Sequence, residues 1–158
     1  MPTYMGIASQ NTARASAALA AAGAWDAAPT EIKTSYVKDM TLNFTYTRGG
    51  VGGAFDWQFE TSIYSVAALV PAGAAEWVTQ SIYQAGGIVA PAAGADTTSL
   101  VQRELQSYTS QGAAAEDFDF GPIPLNGTIE RVRIRARESG VVLTPGTLAI
   151  VALLAGGG

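Results

Sequence analysis

The residues most able to do chemistry in this chain are carboxylates and arginines, because its 158 residues contain no cysteine and no histidine. That removes the commonest nucleophile, the commonest base at neutral pH and the two commonest soft metal ligands together. Zinc sites, iron–sulfur clusters and Cys or His catalysis are excluded. Among the acids, Asp56 with Glu60, or Glu116 with Asp117 and Asp119, could in principle supply the acid and nucleophile of a glycoside hydrolase. Alternation along the chain, however, puts Asp56 and Glu60 on the polar side of a strand, as ordinary solvated groups. Asp117 and Asp119 are oxygen donors suited to calcium, yet the surrounding loop lacks the dense Asp, Asn and Gly spacing of a dedicated site. The reading is therefore of a chain that is not an enzyme, with no catalytic residue, no metal ligand and no cofactor.

Arg131, Arg133, Arg135 and Arg137 recur at spacing two and include four of the nine cations. On a regular strand all four guanidinium groups leave one face while Val132, Ile134 and Ala136 enter the core. Such a row is either a solvated face paired with nearby acids or a contact stripe toward an acidic partner or a neighbouring subunit. Asp117 and Asp119 are the nearest aspartates in sequence. A hairpin through residues 121 to 128, with a bulge at Gly121-Pro122-Ile123-Pro124, would set them against the arginines and turn Phe118 and Phe120 inward. Nucleic acid is an improbable partner, because the formal net charge is -4.

Three tryptophans could stack on a ligand. Trp57 shares an apolar face with Phe55 and Phe59 and reads as core. Trp77 shares its face with Thr79, Ser81 and Tyr83, a mixed surface typical of interfaces and platforms, so Trp77 and Tyr83 are candidate contact residues. Gly49 to Gly53 is a hairpin turn and not a phosphate cradle, since no helix and no Lys with Ser or Thr follows it.

The elements that would position these residues are strands. Met40, Leu42, Phe44 and Tyr46 alternate with polar residues, and after Arg48-Gly-Gly-Val-Gly-Gly the alternation resumes at Phe55, Trp57, Phe59, Thr61 and Ile63, the clearest hairpin in the chain. Residues 76–84 have no cleanly apolar face and read as an edge, 86–96 as a loop, and 99–110 as a strand. Thr128 to Glu138 alternates strictly, and Thr147 to Ala155 suits a strand buried on both faces. Seven or eight strands punctuated by Gly and Pro predict an all-β fold, a single-domain antiparallel β-sandwich of jelly-roll type. Residues 1–24 form an Ala-rich N-terminal arm or first strand, followed by the sandwich domain over 25–158. Ala15, Ala17 and Leu19 of that arm are small enough to pack on a neighbour.

Only 14% of the residues are charged, against roughly 25% in average globular proteins. A small domain so poor in charge tends to associate. No basic start with a continuous apolar stretch marks a secretory signal, and the apolar run at Leu148 to Ala155 is far short of the ~20 residues that span a bilayer. The expectation is a soluble chain without membrane contact.

The segments G-A-W-D-A-A-P-T-E-I (23–32), T-L-N-F-T-Y-T-R-G-G (41–50), V-R-I-R-A-R-E-S-G (132–140) and P-G-T-L-A-I-V-A-L-L (145–154) together resemble small virion proteins of tailed bacteriophages, most closely capsid decoration, or cement, proteins. The resemblance runs from about Gly23 to the C-terminus. It implies a β-sandwich or related barrel, a homo-oligomer and most often a trimer, seated on the outer surface of an icosahedral head, where it ties subunits of the major capsid protein together. It also implies a protein dissolved in the host cytoplasm before assembly and without catalysis or cofactors. A carbohydrate-binding or receptor-recognition module of a head fibre or tail is the alternative that the aromatic residues suggest.

Overall fold

A computed structural model describes residues 8–21, 23–50, 53–83, 102–103, 105–125, 128–140 and 142–156. The strands are β1 (Ala8–Ala18), β2 (Ile32–Lys33), β3 (Val37–Thr47), β4 (Ala54–Ser62), β5 (Val78–Gln80), β6 (Ile82–Tyr83), β7 (Gln102–Arg103), β8 (Gln106–Thr109), β9 (Glu116–Pro124), β10 (Arg131–Glu138) and β11 (Thr147–Gly156), with a short 3-10 turn at Ala67–Leu69. One sheet has the order β1-β11-β3-β9; the other runs β2-β10-β4-β5, with β8 also pairing β4, while β6 and β7 form a small ribbon. All pairings are antiparallel. The chain is an all-β, single-domain antiparallel sandwich, as the alternation predicts.

The core lies between the two large sheets. From the first come Leu42, Phe44, Tyr46, Phe118, Phe120, Leu148 and Ile150, and from the second Phe55, Trp57, Phe59, Val132 and Ile134, all buried. Phe44 sits at the centre, with ring centroids 4.9 Å from Trp57, 4.9 Å from Phe118 and 5.8 Å from Phe55. Cross-sheet aromatic contacts of this kind add to the burial of large apolar surface, the main favourable term in the fold.

Two expected hairpins are absent. β3 and β4 lie in opposite sheets, so Arg48 to Gly53 carries the chain across the sandwich instead of reversing it within a sheet. Their apolar residues meet face to face through the core; the Tyr46 and Phe55 rings are 4.9 Å apart. Alternation looks the same whether two strands pair edge to edge or face each other, which is why the sequence suggested pairing. Likewise β9 pairs β3 and β10 pairs β4, so Asp117 and Asp119 are on the sheet opposite to the arginines.

The expected irregularity at Gly121 is present, although against β3: the register slips between Met40 and Leu42, opposite Phe120 and Ile123. Gly121 has φ of 139°, and a Cβ there would stand 2.9 Å from the Met40 carbonyl oxygen. Only glycine fits that approach. Phe118 and Phe120 point inward as anticipated.

The Ala-rich segment is a strand. β1 pairs along β11 with register slips after Thr12 and Arg14, and it buries Ala13, with Leu19 buried just past its end. Pairing and burial override the helix propensity of alanine. Leu19 thus belongs to the chain's own core and is not offered to a neighbour; its N–H donates to the Gly146 carbonyl at 2.9 Å. Ala15 and Ala17 are exposed. β11 is buried on one face only, with Leu148, Ile150, Ala152 and Leu154 inward and Leu153 exposed, a correction to the doubly buried strand expected there. The single strand expected over 76–84 is divided into β5 and β6, that over 99–110 appears as β7 and β8, and the loop 86–96 lies outside the described residues.

Candidate functional site

β10 runs beside β4 in unbroken register, Arg131 opposite Ser62 through Glu138 opposite Phe55. Period-two geometry sends Val132, Ile134 and Ala136 into the core and the four arginines to the outer face, across from Glu60, Gln58 and Asp56. Glu60 accepts from two of them, with Arg133 Nη2 at 2.7 Å and Arg135 Nη1 at 3.4 Å. Asp56 accepts from Arg137 Nε at 3.0 Å and from the hydroxyls of Ser107 and Ser139 at 2.7 and 2.5 Å.

Arg131 is the most enclosed member, 3% exposed. Its Nη1 meets Glu31 at 2.9 Å, its Nη2 meets Glu76 at 2.8 Å, and its Nε donates to the Tyr64 carbonyl at 2.7 Å. Burial works against its charge, but the hydrogen bonds to Glu76 and Glu31 outweigh that and hold its pKa above the ordinary arginine value.

Two indoles complete the arrangement. Trp77 is shared by Arg131 and Arg133, whose guanidinium carbons lie 4.8 and 4.3 Å from its ring centre, and Trp25 is shared in the same way by Arg135 and Arg137 at 5.6 and 4.3 Å. Trp25 arrives on the segment joining β1 to β2, whose Asp26 N–H donates to Ala136 O on β10 at 3.0 Å, and Trp77 on the segment leading into β5. The outer face of this sheet is therefore a ladder of guanidinium groups, carboxylates and indoles that fastens two crossing segments onto the strands. Arg131, Arg133, Arg135 and Arg137 face Glu31, Glu76, Glu60 and Asp56, so the charges cancel and no bare cationic row is left for a polyanion.

Asp56 and Glu60, expected to be solvated, are buried beneath these arginines. Each is held as a hydrogen-bond acceptor by the strand and loop groups around it. Asp117 and Asp119, on the far sheet, accept from the Thr45 hydroxyl at 2.5 Å and the Asn43 amide at 2.7 Å. Among the described residues no cluster of three His, Cys, Asp or Glu side chains could hold a metal ion, and no helix is long and apolar enough to cross a membrane. Of the candidate contact residues, Trp77 is half-buried in the ladder, Tyr83 belongs to β6 opposite Gln102, and Ala15 and Ala17 line an open cleft of about 270 Å³ whose other wall is Asp26 to Thr30. Arg14, on the rim of that cleft, holds Asp26 through Nε at 2.9 Å.

Sequence reasoning missed Trp25, Glu31 and Glu76 as members of the ladder. A signal was available: Trp25-Asp26 and Glu76-Trp77 each set an indole beside an acid in a loop, complementary to a row of spaced arginines.

Carboxylates also anchor the core-facing side. Glu138, buried, accepts from the Tyr46 hydroxyl at 3.1 Å, and Glu116 accepts from the Tyr108 hydroxyl at 2.8 Å. Burial first, and then the neighbouring carboxylate, pushes both tyrosines well above 10.0. Beyond that pH the unfolded chain binds fewer protons than the folded one, so stability falls as pH rises, by about 1.4 kcal/mol per pH unit for each tyrosine. Denaturant midpoints taken across pH values from about 10 to about 11 should fall roughly half as steeply with pH in Tyr108→Phe as in wild type, because one of the two tyrosines is gone. An undiminished slope would place the alkaline loss elsewhere.

Comparison with protein-family models, with curated proteins and with solved structures returns no match to this chain.

Proposed function

We propose that this chain is a non-enzymatic structural protein of a virion, which decorates and stabilises the outer surface of a capsid as a homo-oligomer, a trimer by preference, bound to the major capsid protein. The observation that carries this reading is the ladder: Asp56 and Glu60 are engaged by arginines, and the arginines of the row hold two surface segments in a fixed shape. Polar groups here build a rigid exterior. The strand orders β1-β11-β3-β9 and β2-β10-β4-β5 support it further, since each sheet takes strands from both halves of the chain in the manner of a jelly roll, an architecture used by capsid domains. A surface low in charge suits many modest contacts repeated by symmetry, and multivalent attachment raises avidity by roughly 10² to 10⁴ without any new kind of contact.

The test is sedimentation of the purified chain at micromolar concentration, together with co-sedimentation on empty phage heads prepared without decoration. A discrete oligomer that pellets with the heads is expected. A strict monomer with no affinity for heads would overturn the reading.

A further inference from the structure

We infer that the end of the sandwich bearing Tyr36 and the segment Ile63 to Val70 is a self-association surface, which takes the same end of a second copy of this chain about a symmetry axis. The inference deepens the proposed function, on which it rests for the existence of an oligomer, by naming the face through which that oligomer forms.

The first observation is Tyr36. It is the third residue of the turn from Thr34 to Val37, closed by the Val37 N–H donating to the Thr34 carbonyl at 2.9 Å. Its φ is +67° and it is 90% exposed. Turns that need a positive φ at this place normally take glycine, and a bulky side chain there is strained. The ring packs on little of its own chain, so the fold gains nothing from it. Strain kept without a folding benefit marks a residue used for something else.

The second observation is independent. From Ile63 to Ala75 the chain carries no charged residue, and Ile63, Val66 and Leu69 are 61%, 46% and 60% exposed. This segment is not slack. Arg131 donates from Nε to the Tyr64 carbonyl at its start and pairs through Nη2 with Glu76 just past its end. In between, Leu69 N–H bonds to the Val66 carbonyl and Val70 N–H to that of Ala67, at 3.1 Å each. A buried arginine thus holds three large aliphatic side chains toward water in a set arrangement, which lowers the ordering cost of contact.

Both features sit at one end. Thr34 N–H donates to Glu130 O and Glu130 N–H to Ser62 O, at 3.0 and 2.9 Å, which aligns the turn of Tyr36 with the start of the aliphatic segment. The charges beside the two are mixed: Lys33, Lys38 and Glu31 are exposed, and Glu130 is half-buried. A rim with both signs complements its own copy when turned about an axis, whereas a partner of one sign would meet half of it unfavourably. The apolar part is four exposed side chains, Tyr36, Ile63, Val66 and Leu69, few beside the roughly 20–30 residues a side of a standard interface, so the association is reversible and concentration-dependent.

Sedimentation velocity from micromolar to submillimolar concentration tests this on the full chain, as wild type, as Tyr36→Gly, as Ile63→Ser with Leu69→Ser, and as Leu143→Ser at the opposite end. Tyr36→Gly is expected to melt no lower than wild type while associating at least roughly tenfold more weakly. The double variant should weaken association as well, and Leu143→Ser should leave it unchanged. An oligomer weakened by neither end variant overturns the inference and leaves the structural reading standing. A wild-type chain that stays monomeric throughout overturns both.

Discussion

Replacing Arg131 by alanine is expected to destabilise the chain by about 3 kcal/mol, the lower part of the range for removing one partner of a buried ion pair. The lower part applies because Glu31 and Glu76 keep side-chain exposures of 47% and 29% and are partly relieved by water. What remains is the loss of the donor to the Tyr64 carbonyl and of the group supporting Trp77. Urea denaturation measures the cost, and hydrogen exchange over residues 62–77 should quicken at the same time, since that segment loses its clasp. Arg135→Ala provides the contrast. Its side chain is 32% exposed and shares Glu60 with Arg133 at the longer distance of 3.4 Å, so screening should hold its effect to about 1 kcal/mol or less. Equal effects from the two variants would show that burial does not order the ladder's energetics.

Phe44→Ala should cost more, about 4 kcal/mol by the usual range for emptying a buried phenylalanine site. Phe44 is fully buried and touches rings from both sheets, Phe118 on its own side and Phe55 and Trp57 across the core. The void left by its ring is walled by large rigid groups that close poorly around it. Against a total stability of roughly 5–15 kcal/mol for a domain, such a loss leaves little in reserve. Phe44→Leu, which fills most of the volume, should lose less than about 1.5 kcal/mol. Denaturant midpoints and near-ultraviolet circular dichroism read both variants. A loss under about 1 kcal/mol in Phe44→Ala would mean that the two sheets close around the gap.

The core was legible residue by residue in the sequence. Met40, Leu42, Phe44 and Tyr46, then Phe55, Trp57 and Phe59, and the inward set Val132, Ile134 and Ala136 all emerge from period two alone, because that spacing reports which side of a strand is apolar. It does not report the strand's neighbours. The Gly-rich segment after Arg48 reads equally well as a reversal within a sheet or a crossing between sheets, and the choice is made by ring packing between strands distant in sequence. The same ambiguity misplaced Asp117 and Asp119 beside the arginines. The arginine row itself was visible, with its face correctly assigned. Its partners were not, because Glu31, Glu76, Trp25 and Trp77 arrive on segments whose paths depend on the completed sandwich. Asp56 and Glu60 appeared solvated for a related reason: alternation separates outward from inward but is blind to a lid of arginines and indoles above the outer face.

The strand order carries a consequence for how a molecule comes into being. β11 lies between β1 and β3, so the two earliest long strands of the first sheet have nothing to hold them side by side until the last strand has been made. A growing chain must keep both waiting, and closure joins segments far apart along it, the kind of step that sets slow folding in β-rich proteins. Each molecule therefore closes its first sheet all at once and late, only after synthesis of β11.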